Sequence, residues 1–249
     1  MTAGRGDIDV EAIEQLLVRF GQLVVQQKWV REIEINPLSV SSEGLIALDA
    51  RVVLHPPQLS EAELPKPAIR PYPAQYTWTI RTRDEVPLVV RPIRPDDERL
   101  IARFHEGLSD ETVHYRYGGL MNLRSRVAHD RLIRSCFVDF DRQIALVAVH
   151  RKPGGDEEIV GVARLLKSTD DAEAEFAVVI ADAWQGRGIG TRLLALLPNV
   201  ARAEGLGRVS GTIFSGNAAM LKACDRAGFH VIPQVRDACG DWTAQMLLA

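Results

Sequence analysis

The chain has 249 residues, of which 46% are hydrophobic and 25% are charged, and its formal net charge at pH 7 is -3. This length allows one large domain or two small ones, and the slightly acidic balance argues against a general nucleic-acid binder, which would carry a basic excess. No apolar run approaches the roughly 20 residues of a membrane span, and residues 1–9 lack the regions of an export signal, so we expect a cytoplasmic protein.

The N-terminal segment, residues 1–54, is predicted to form one helix followed by a β-hairpin. Apolar residues recur at helical spacing over Val10–Lys28. Two strand-like stretches, 33–40 and 45–53, then flank a turn at residues 42–44.

A proline-rich stretch separates this segment from the rest of the chain. Six of the 13 prolines lie between Pro56 and Pro73. Prolines at this density block helices and interior strands and favour an extended backbone. We therefore predict a linker over residues 55–75 and a larger domain over residues 76–249.

The larger domain is predicted to be mixed α/β. It begins with strands near 76–80 and 88–93, after which Asp96 or Asp97 is expected to cap a helix. Two short helices follow, near Ser109 and over 125–136. The later predicted elements are strands over 144–150, 158–167 and 173–180, a helix that reaches Glu204, a strand over 209–214, a helix over 217–227 and two short final strands.

One turn of this domain has the composition of a phosphate-binding site. The apolar strand that ends at Ile180 leads into Gln185-Gly186-Arg187-Gly188-Ile189-Gly190-Thr191, which opens a helix. The first N–H groups of a helix are unpaired and lie at the positive end of its dipole, and glycines let a ligand approach the backbone. The sequence therefore predicts a pyrophosphate cradle, although an ordinary strand–helix turn would look similar. No Gly-Lys-Ser/Thr follows, so the turn is not a P-loop.

Residues Gln185–Gly190 fit the Gln/Arg-x-x-Gly-x-Gly/Ala signature of the GNAT N-acetyltransferases, and the order of elements from Leu88 to Ala249 resembles that family. Asn217 followed by Gly228-Phe229 is similar to the family's Asn…Gly-Phe helix. The resemblance implies a GNAT fold, with a central, mostly antiparallel mixed sheet and flanking helices. It also implies acetyl-CoA as acyl donor, with no metal required.

The same resemblance implies which residues hold the donor. Backbone groups of Val178, Val179 and Ile180 are expected to meet the pantetheine arm and the thioester carbonyl. The pyrophosphate is expected at Gln185, Gly186, Arg187, Gly188, Ile189, Gly190 and Thr191, with Arg187 pairing a phosphate and Thr191 adding a hydroxyl. Asn217 is expected to bond the pantetheine arm, and a plain helix N-cap is an equal alternative.

Two glutamates are candidates for the general base. A lysine amine titrates near 10.4 in water, so a carboxylate must take its proton. Glu173 and Glu175 lie two residues apart on the strand before the cradle and share one face. The family alignment favours Glu175, with Glu173 as alternative or as part of an acidic rim with Asp170 and Asp171 that recruits a basic substrate. The alternative is that both are solvated charges at a strand end.

The family's usual general acid is missing. Many GNAT enzymes carry a Tyr seven residues after the Asn, and Cys224 stands at that position here. A thiol leaves readily because it titrates near 8.5, so an acid is dispensable. Cys136, Cys224 and Cys239 lack metal-like spacing and are predicted to be reduced, packed thiols. Tyr115 and Tyr117 either line the acceptor groove or pack between helices.

The N-terminal segment carries a second resemblance. Residues 34–38 with 48–51 resemble the last hairpin of the ATP-grasp subdomain of NDP-forming acyl-CoA synthetases, in which the residues matching Asn36 and Asp49 bind Mg²⁺. The rest of that domain is absent here, and Mg²⁺ usually relies on substrate phosphates, so no metal site is predicted.

Together the two regions resemble Pat-type bacterial protein lysine acetyltransferases. That resemblance implies transfer of acetyl to a lysine of an AMP-forming acyl-CoA synthetase, by direct attack in a ternary complex. Three alternatives remain open: an acetyltransferase for a small amine, an acyl-CoA sensor without catalysis, and a fragment of a nucleotide-binding synthetase.

Overall fold

The structure is a computed structural model that describes residues 10–41, 44–65, 70–119, 121–168, 172–234 and 240–248. It divides into two compact units, Met1–Pro71 and Tyr72–Ala249. No helix within these ranges is both long and apolar enough to span a bilayer. Several positions named above lie outside the described residues: residues 1–9, Ser42, Glu43, Asp170, Asp171 and Cys239.

The first unit contains the predicted helix and hairpin. Its elements are α1 (Val10–Gln26), β1 (Val30–Ile35), β2 (Leu38–Ser41), β3 (Gly44–Ala47) and β4 (Ala50–Leu54). β1 pairs with β4 and β2 with β3, both antiparallel, so the hairpin consists of two successive ladders. The interruption falls at Pro37, which has no backbone N–H to donate. The hairpin nevertheless stays closed there, because Asn36 N–H donates to the Asp49 carbonyl at 3.1 Å.

The second unit is built on one eight-stranded sheet, and the predicted fold class is confirmed. Its spatial order is β11-β12-β10-β9-β8-β7-β6-β5. Every neighbouring pair is antiparallel except β9 with β10. The strands are β5 (Trp78–Arg81), β6 (Pro87–Pro92), β7 (Gln143–Arg151), β8 (Glu157–Lys167), β9 (Glu173–Ile180), β10 (Arg208–Ile213), β11 (His230–Pro233) and β12 (Trp242–Leu247).

Helices cover both faces of this sheet. They are α2 (Glu98–Glu106), α3 (Asp110–Tyr117), α4 (Leu123–Arg126), α5 (His129–Cys136), α6 (Ile189–Ala203) and α7 (Ala218–Arg226). One apolar core joins α6 and α7 to one face, where Phe176 and Val178 of β9 are buried. A second core joins α2, α3 and α5 to the opposite face, where Val162 of β8 and Val179 of β9 are buried. Alternation along β9 therefore sends successive side chains to opposite helical layers.

Two local predictions need correction. Asp97 does not cap α2 with its side chain. Its buried carboxylate instead accepts two hydrogen bonds of 2.7 Å from Arg91 and one of 2.8 Å from the Arg94 N–H. A buried guanidinium without a counterion is costly, and this pairing satisfies it. The helix predicted over 125–136 is divided into α4 and α5.

The compact second unit begins at Tyr72, inside the stretch predicted as a linker. The Tyr72 hydroxyl donates to the Pro92 carbonyl at 2.8 Å, and its ring meets Phe140 edge-on. The Tyr76 hydroxyl donates to the buried carboxylate of Glu204 at the end of α6. These tyrosines give the end of the proline-rich stretch a packed position on the domain.

The parallel pair β9–β10 separates along its length. Pairing is restricted to Glu173, Ala174 and Glu175 of β9 with residues 208–210 of β10. Glu175 therefore lies at the last paired position, where the two strands begin to diverge. The separation opens the sheet between the end of β9 and the helices that follow each strand.

Candidate functional site

A cleft of about 450 Å³ lies beside the diverging ends of β9 and β10. The predicted donor-binding residues converge on it from β9, the first turn of α6 and the start of α7, with the single exception of Arg187. Those that line it are Val178, Val179, Ile180, Gln185, Gly186, Gly188, Ile189, Gly190, Thr191 and Asn217. The cleft is thus formed by segments that are far apart in sequence and that the sheet brings together at the ends of β9 and β10.

The turn Gln185–Gly190, here called the glycine turn, has the backbone that its composition predicts. Gly186 and Gly188 have φ values of 75° and 84°, a left-handed conformation that disfavours a Cβ. Arg192 N–H makes the first helical bond, to the Gly188 carbonyl at 3.2 Å. The N–H groups of residues 189–191 therefore precede the first intrahelical donor and are free to bind an anion.

Asp182 braces the entrance to the glycine turn against α3. Its carboxylate accepts hydrogen bonds from the Ser109 N–H at 3.1 Å, the Ser109 hydroxyl at 2.5 Å and the Thr112 hydroxyl at 3.0 Å. Burial would raise the pKa of Asp182, but these hydrogen bonds outweigh it and hold the pKa below its ordinary value. Gln185 adds to this brace by donating to the Thr112 hydroxyl at 3.0 Å and to the Ile180 carbonyl at 3.2 Å. Its side chain therefore shapes the turn.

Arg83, and not the predicted Arg187, is the arginine that lines the cleft beside the glycine turn. The Arg187 guanidinium lies 3.3 Å from Asp84 and 4.7 Å from the centre of the Trp184 ring, outside the cleft. Arg83 lines the cleft and donates to the Gly186 carbonyl at 3.1 Å. Nothing in the sequence singles out Arg83, because it lies in the β5–β6 turn, 103 residues before Gly186.

Two further cations of the cleft come from α7. Lys222 and Arg226 both line it, and their spacing of four residues puts them on one helix face. That spacing was visible in the sequence and is the signal that could have identified them. With Arg83 they are three of the four cationic side chains that line the cleft among the described residues, the fourth being Arg116, and such cations suit the phosphates of a nucleotide.

Asn217 performs the capping function and still faces the cleft. Its side-chain oxygen accepts a hydrogen bond of 3.1 Å from the Met220 N–H. The amide nitrogen is left to donate to a ligand. The two interpretations of Asn217 are therefore compatible.

Cys224 is fully buried, and burial raises the pKa of its thiol to about 12. It stays protonated and away from solvent, so the prediction of a packed thiol is confirmed. Cys136 is likewise free and buried. Tyr115 lines the cleft and Tyr117 does not.

The two glutamates differ in their surroundings. Glu173 forms an ion pair with Arg208 within the paired part of β9 and β10. Its carboxylate is thereby engaged away from the cleft, which weakens its candidacy as base. Glu175 is exposed and lies where the strands separate. Its side chain shares the sheet face of Val179, one of the residues that line the cleft.

Asn36 and Asp49, which match the Mg²⁺ ligands of the synthetase family, both lie in the N-terminal hairpin. Asn36 donates to the Glu34 carboxylate at 3.2 Å. Within the described ranges no group of three or more His, Cys, Asp and Glu side chains is arranged to hold an ion.

Comparison with known proteins connects this geometry to a family. Residues 87–230 match the sequence profile described as an acetyltransferase (GNAT) domain, and residues 2–54 match that of an ATP-grasp domain. An acetyltransferase of Pseudomonas aeruginosa is 30% identical over 152 residues, which cover 61% of this chain and 80% of that protein. The GNAT domain of S. lividans PAT is 28% identical, with a TM-score of 0.62, over 72% of this chain and all of that one.

Two other relatives are similar over shorter stretches. An L-methionine sulfoximine/L-methionine sulfone acetyltransferase of Pseudomonas aeruginosa is 39% identical over 71 residues, 27% of this chain and 41% of that protein. The beta subunit of an ADP-forming acetate–CoA ligase of Pyrococcus furiosus is 33% identical over 51 residues, 20% of this chain and 22% of that subunit.

The GNAT match covers more than half of the chain, and the fold and the glycine turn agree with it. The chain therefore belongs to the GNAT acetyltransferase family and is an N-acetyltransferase.

Proposed function

We propose that this enzyme transfers acetyl from acetyl-CoA to a lysine of an AMP-forming acyl-CoA synthetase. The observation that carries the proposal is the similarity to the GNAT domain of a PAT protein, which extends over that whole chain. The ATP-grasp match over residues 2–54 and the similarity to an acyl-CoA ligase subunit support it. We interpret residues 1–54 as a remnant of a synthetase-like domain, 55–75 as a linker and 76–249 as the catalytic domain, acting in the cytoplasm.

In this proposal the cleft holds the donor along its length. The pyrophosphate lies at the N–H groups of residues 189–191, with Arg83 beside it and Lys222 and Arg226 near the remaining phosphate, on the ribose. The pantetheine arm follows the backbone of Val178–Ile180. The thioester then lies near the divergence of β9 and β10, close to Glu175.

The acceptor amine attacks the thioester carbonyl carbon, and the carbon–sulfur bond breaks. Glu175 takes the proton of the amine, directly or through one water. General-base catalysis of this kind increases the rate about 10²–10⁴-fold. CoA leaves as the thiolate, which needs little assistance because free thiols titrate near 8.5. Cys224 supplies no acid, because its thiol is buried.

The decisive experiment measures CoA release from acetyl-CoA with a purified AMP-forming acetyl-CoA synthetase as acceptor. Glu175→Gln is compared with Glu173→Gln, a matched control two residues away on the same strand face. Synthetase-dependent turnover that falls at least 100-fold in Glu175→Gln, with acetyl-CoA affinity retained, is the expected result. Glu173→Gln should retain most of the activity.

A small-amine acceptor is the second candidate, favoured by the similarity to the methionine sulfoximine acetyltransferase. It predicts turnover with free amino acids or their analogues and none with the synthetase. Tight acetyl-CoA binding without turnover on either class would contradict both candidates and indicate a sensor.

A further inference from the structure

A second cavity, of about 90 Å³, lies on the opposite face of the sheet from α6 and α7. It lies between β8, β9 and the helices α2, α3 and α5. The polar side chains around it are Arg116, Arg131, Arg164, His105, Tyr117 and Ser135. Three of the six are cations, and none is an anion.

The three arginines have no carboxylate partner in the described part of the chain. Arg164 donates to the Ser135 carbonyl at 2.9 Å. The Arg116 and Arg131 guanidinium groups lie 4.9 Å and 5.2 Å from the centre of the Tyr117 ring. By contrast, the buried Arg91 of the same domain is paired with Asp97. Unpaired cations in a half-buried position are costly, so the arrangement calls for an anion.

The charges of this cavity act on one another. Burial lowers the pKa of Arg164 below its ordinary value, and the charge of Arg116 lowers it further. His105 has its pKa lowered to about 4 by burial and then by Arg131, Arg126, Arg164 and Arg116. Its imidazole is therefore neutral at pH 7.

His105 is also incompletely bonded. The side chain is 7% exposed, and its Nδ1 has no hydrogen-bond partner. A buried polar atom without a partner is uncommon in native proteins. The cavity thus combines unneutralised cations with an unsatisfied imidazole, and a bound anion would relieve both the mutual repulsion and the burial of unpaired charge.

The position of the cavity relates it to the transfer reaction. Arg116 and Val179 line both this cavity and the donor cleft. Glu175, Ala177 and Val179 alternate onto the same sheet face, and Arg164 on β8 lies opposite Ala177. Burial lowers the pKa of Arg116, and the negative charge of Glu175 is near enough to act on it in the opposite direction. An acceptor whose amine reaches Glu175 therefore has this cavity beside it.

We propose that the cavity binds a carboxylate of the acceptor and so selects amines that carry an acid nearby. A water molecule occupies about 30 Å³ in the liquid, so the space suits a carboxylate with its adjoining methylene. Guanidinium groups match a carboxylate with paired, charge-assisted hydrogen bonds. The carboxylate belongs either to an acidic residue beside the target lysine or to a free amino acid. The inference rests on the proposed acetyl transfer and on Glu175 as its base.

The first test uses acetate as probe and the full chain at pH 7.5. The His105 ring resonances, assigned with His105→Gln, are followed by NMR as acetate is added. Wild type and Arg134→Gln, an exposed control on the same helix as Arg131, should show one saturable shift. Arg164→Gln should bind acetate at least tenfold more weakly, and neutral acetamide should cause no shift. A response equal in Arg164→Gln and Arg134→Gln, or one that never saturates, would overturn the inference.

The second test separates the two sources of carboxylate. Acetylation is measured with lysine peptides that differ only by Glu or Gln beside the lysine, and with a free amino acid and its amide. Within one of these two pairs, the substrate that carries the carboxylate should have a KM at least tenfold lower than its neutral counterpart. Arg164→Gln should abolish that preference and leave kcat within about twofold, and Arg164→Lys should restore part of it.

The outcomes distinguish this inference from the proposed function. Synthetase acetylation with an acceptor KM that is unchanged in Arg164→Gln would refute the carboxylate site and leave the function intact. Absence of synthetase acetylation, with Arg164-dependent acetylation of a free amino acid, would refute the protein substrate and support the site. Thermal melting confirms that each variant is folded.

Discussion

The guanidinium of Arg83 donates to the carbonyl of Gly186 at 3.1 Å, across 103 residues of sequence. The Arg83 N–H also donates to the Arg187 carbonyl at 2.9 Å. The β5–β6 turn is thereby fastened to the glycine turn, and the cation stands beside the free N–H groups of α6. A residue near the start of the domain therefore completes the turn that the sequence predicts to bind phosphate.

Replacing Arg83 should weaken donor binding. In Arg83→Gln the hydrogen bond to Gly186 can be kept while the charge is lost, so we expect acetyl-CoA to bind about tenfold more weakly, or about 1.4 kcal/mol. Isothermal titration calorimetry measures the change. Arg81→Gln is the control, because Arg81 is exposed on the neighbouring strand and does not line the cleft. Equal loss in both variants would contradict a specific role for Arg83.

Gly188 should be required for acetyl-CoA binding and not only for the backbone conformation of the glycine turn. Gly188→Ala strains a φ of 84° and brings a Cβ within 3.3 Å of Arg83. Gly205→Ala strains a similar φ of 74° at the far end of α6, where nothing lies within 4 Å. Both should lose about 1–2 kcal/mol of stability. Only Gly188→Ala should also lose acetyl-CoA affinity, measured by calorimetry, and parallel losses would argue against the cradle.

Substitutions at Asn217 should separate its role as helix cap from its proposed role in binding acetyl-CoA. Asn217→Asp retains an oxygen that accepts from the Met220 N–H, so the melting temperature should change little. The amide donor is lost, and acetyl-CoA affinity should fall severalfold. Asn217→Ala should lose both affinity and about 1 kcal/mol of stability. If Asn217→Asp binds acetyl-CoA as tightly as wild type, Asn217 acts only as a helix cap.

Position 211 should tolerate only glycine, because the core beside the cleft leaves no space there for a side chain. A Cβ on Gly211 would lie 2.7 Å from the Phe176 ring, which also packs edge-on against Phe229 with a centroid distance of 5.0 Å. Gly211→Ala should therefore cost about 1–3 kcal/mol through overpacking, and lower the melting temperature by roughly 3–10 °C. Gly154→Ala, with nothing within 4 Å, is the control. Equal melting temperatures in calorimetric scans would contradict the packing account.

Histidine 105 should make the protein less stable in mild acid. Its pKa is lowered to about 4 in the folded state from an ordinary value of 6.5. As the pH falls through 6.5, the unfolded chain binds a proton that folded His105 does not, so stability decreases until the pH nears 4. The expected contribution between pH 7.5 and pH 5 is about 2 kcal/mol.

Urea unfolding at the two pH values measures this contribution. His105→Phe should lose less stability on acidification than wild type, whereas His230→Gln, at an exposed position, should behave like wild type. Identical losses in all three proteins would show that His105 is not the group responsible.

The sequence determined the features whose cause is local. Apolar stretches bounded by turn residues identified β7, β8 and β9, and the glycine spacing identified the turn that begins α6, because strand tendency and left-handed φ are properties of neighbouring residues. It also predicted the helix and hairpin of the first unit. It joined α4 and α5 into one predicted helix. It also assigned Asp96 or Asp97 to a cap, whereas the Asp97 carboxylate pairs with Arg91, because a buried guanidinium needs a counterion.

Tertiary structure decided which charges meet. The separation of β9 from β10 places Glu175 at the divergence and leaves Glu173 paired with Arg208. It also brings Arg83 to the glycine turn and gathers three arginines into one cavity. No sequence pattern predicts that these charged side chains meet, because their meeting depends on the order of strands in the sheet and on which side chains are buried.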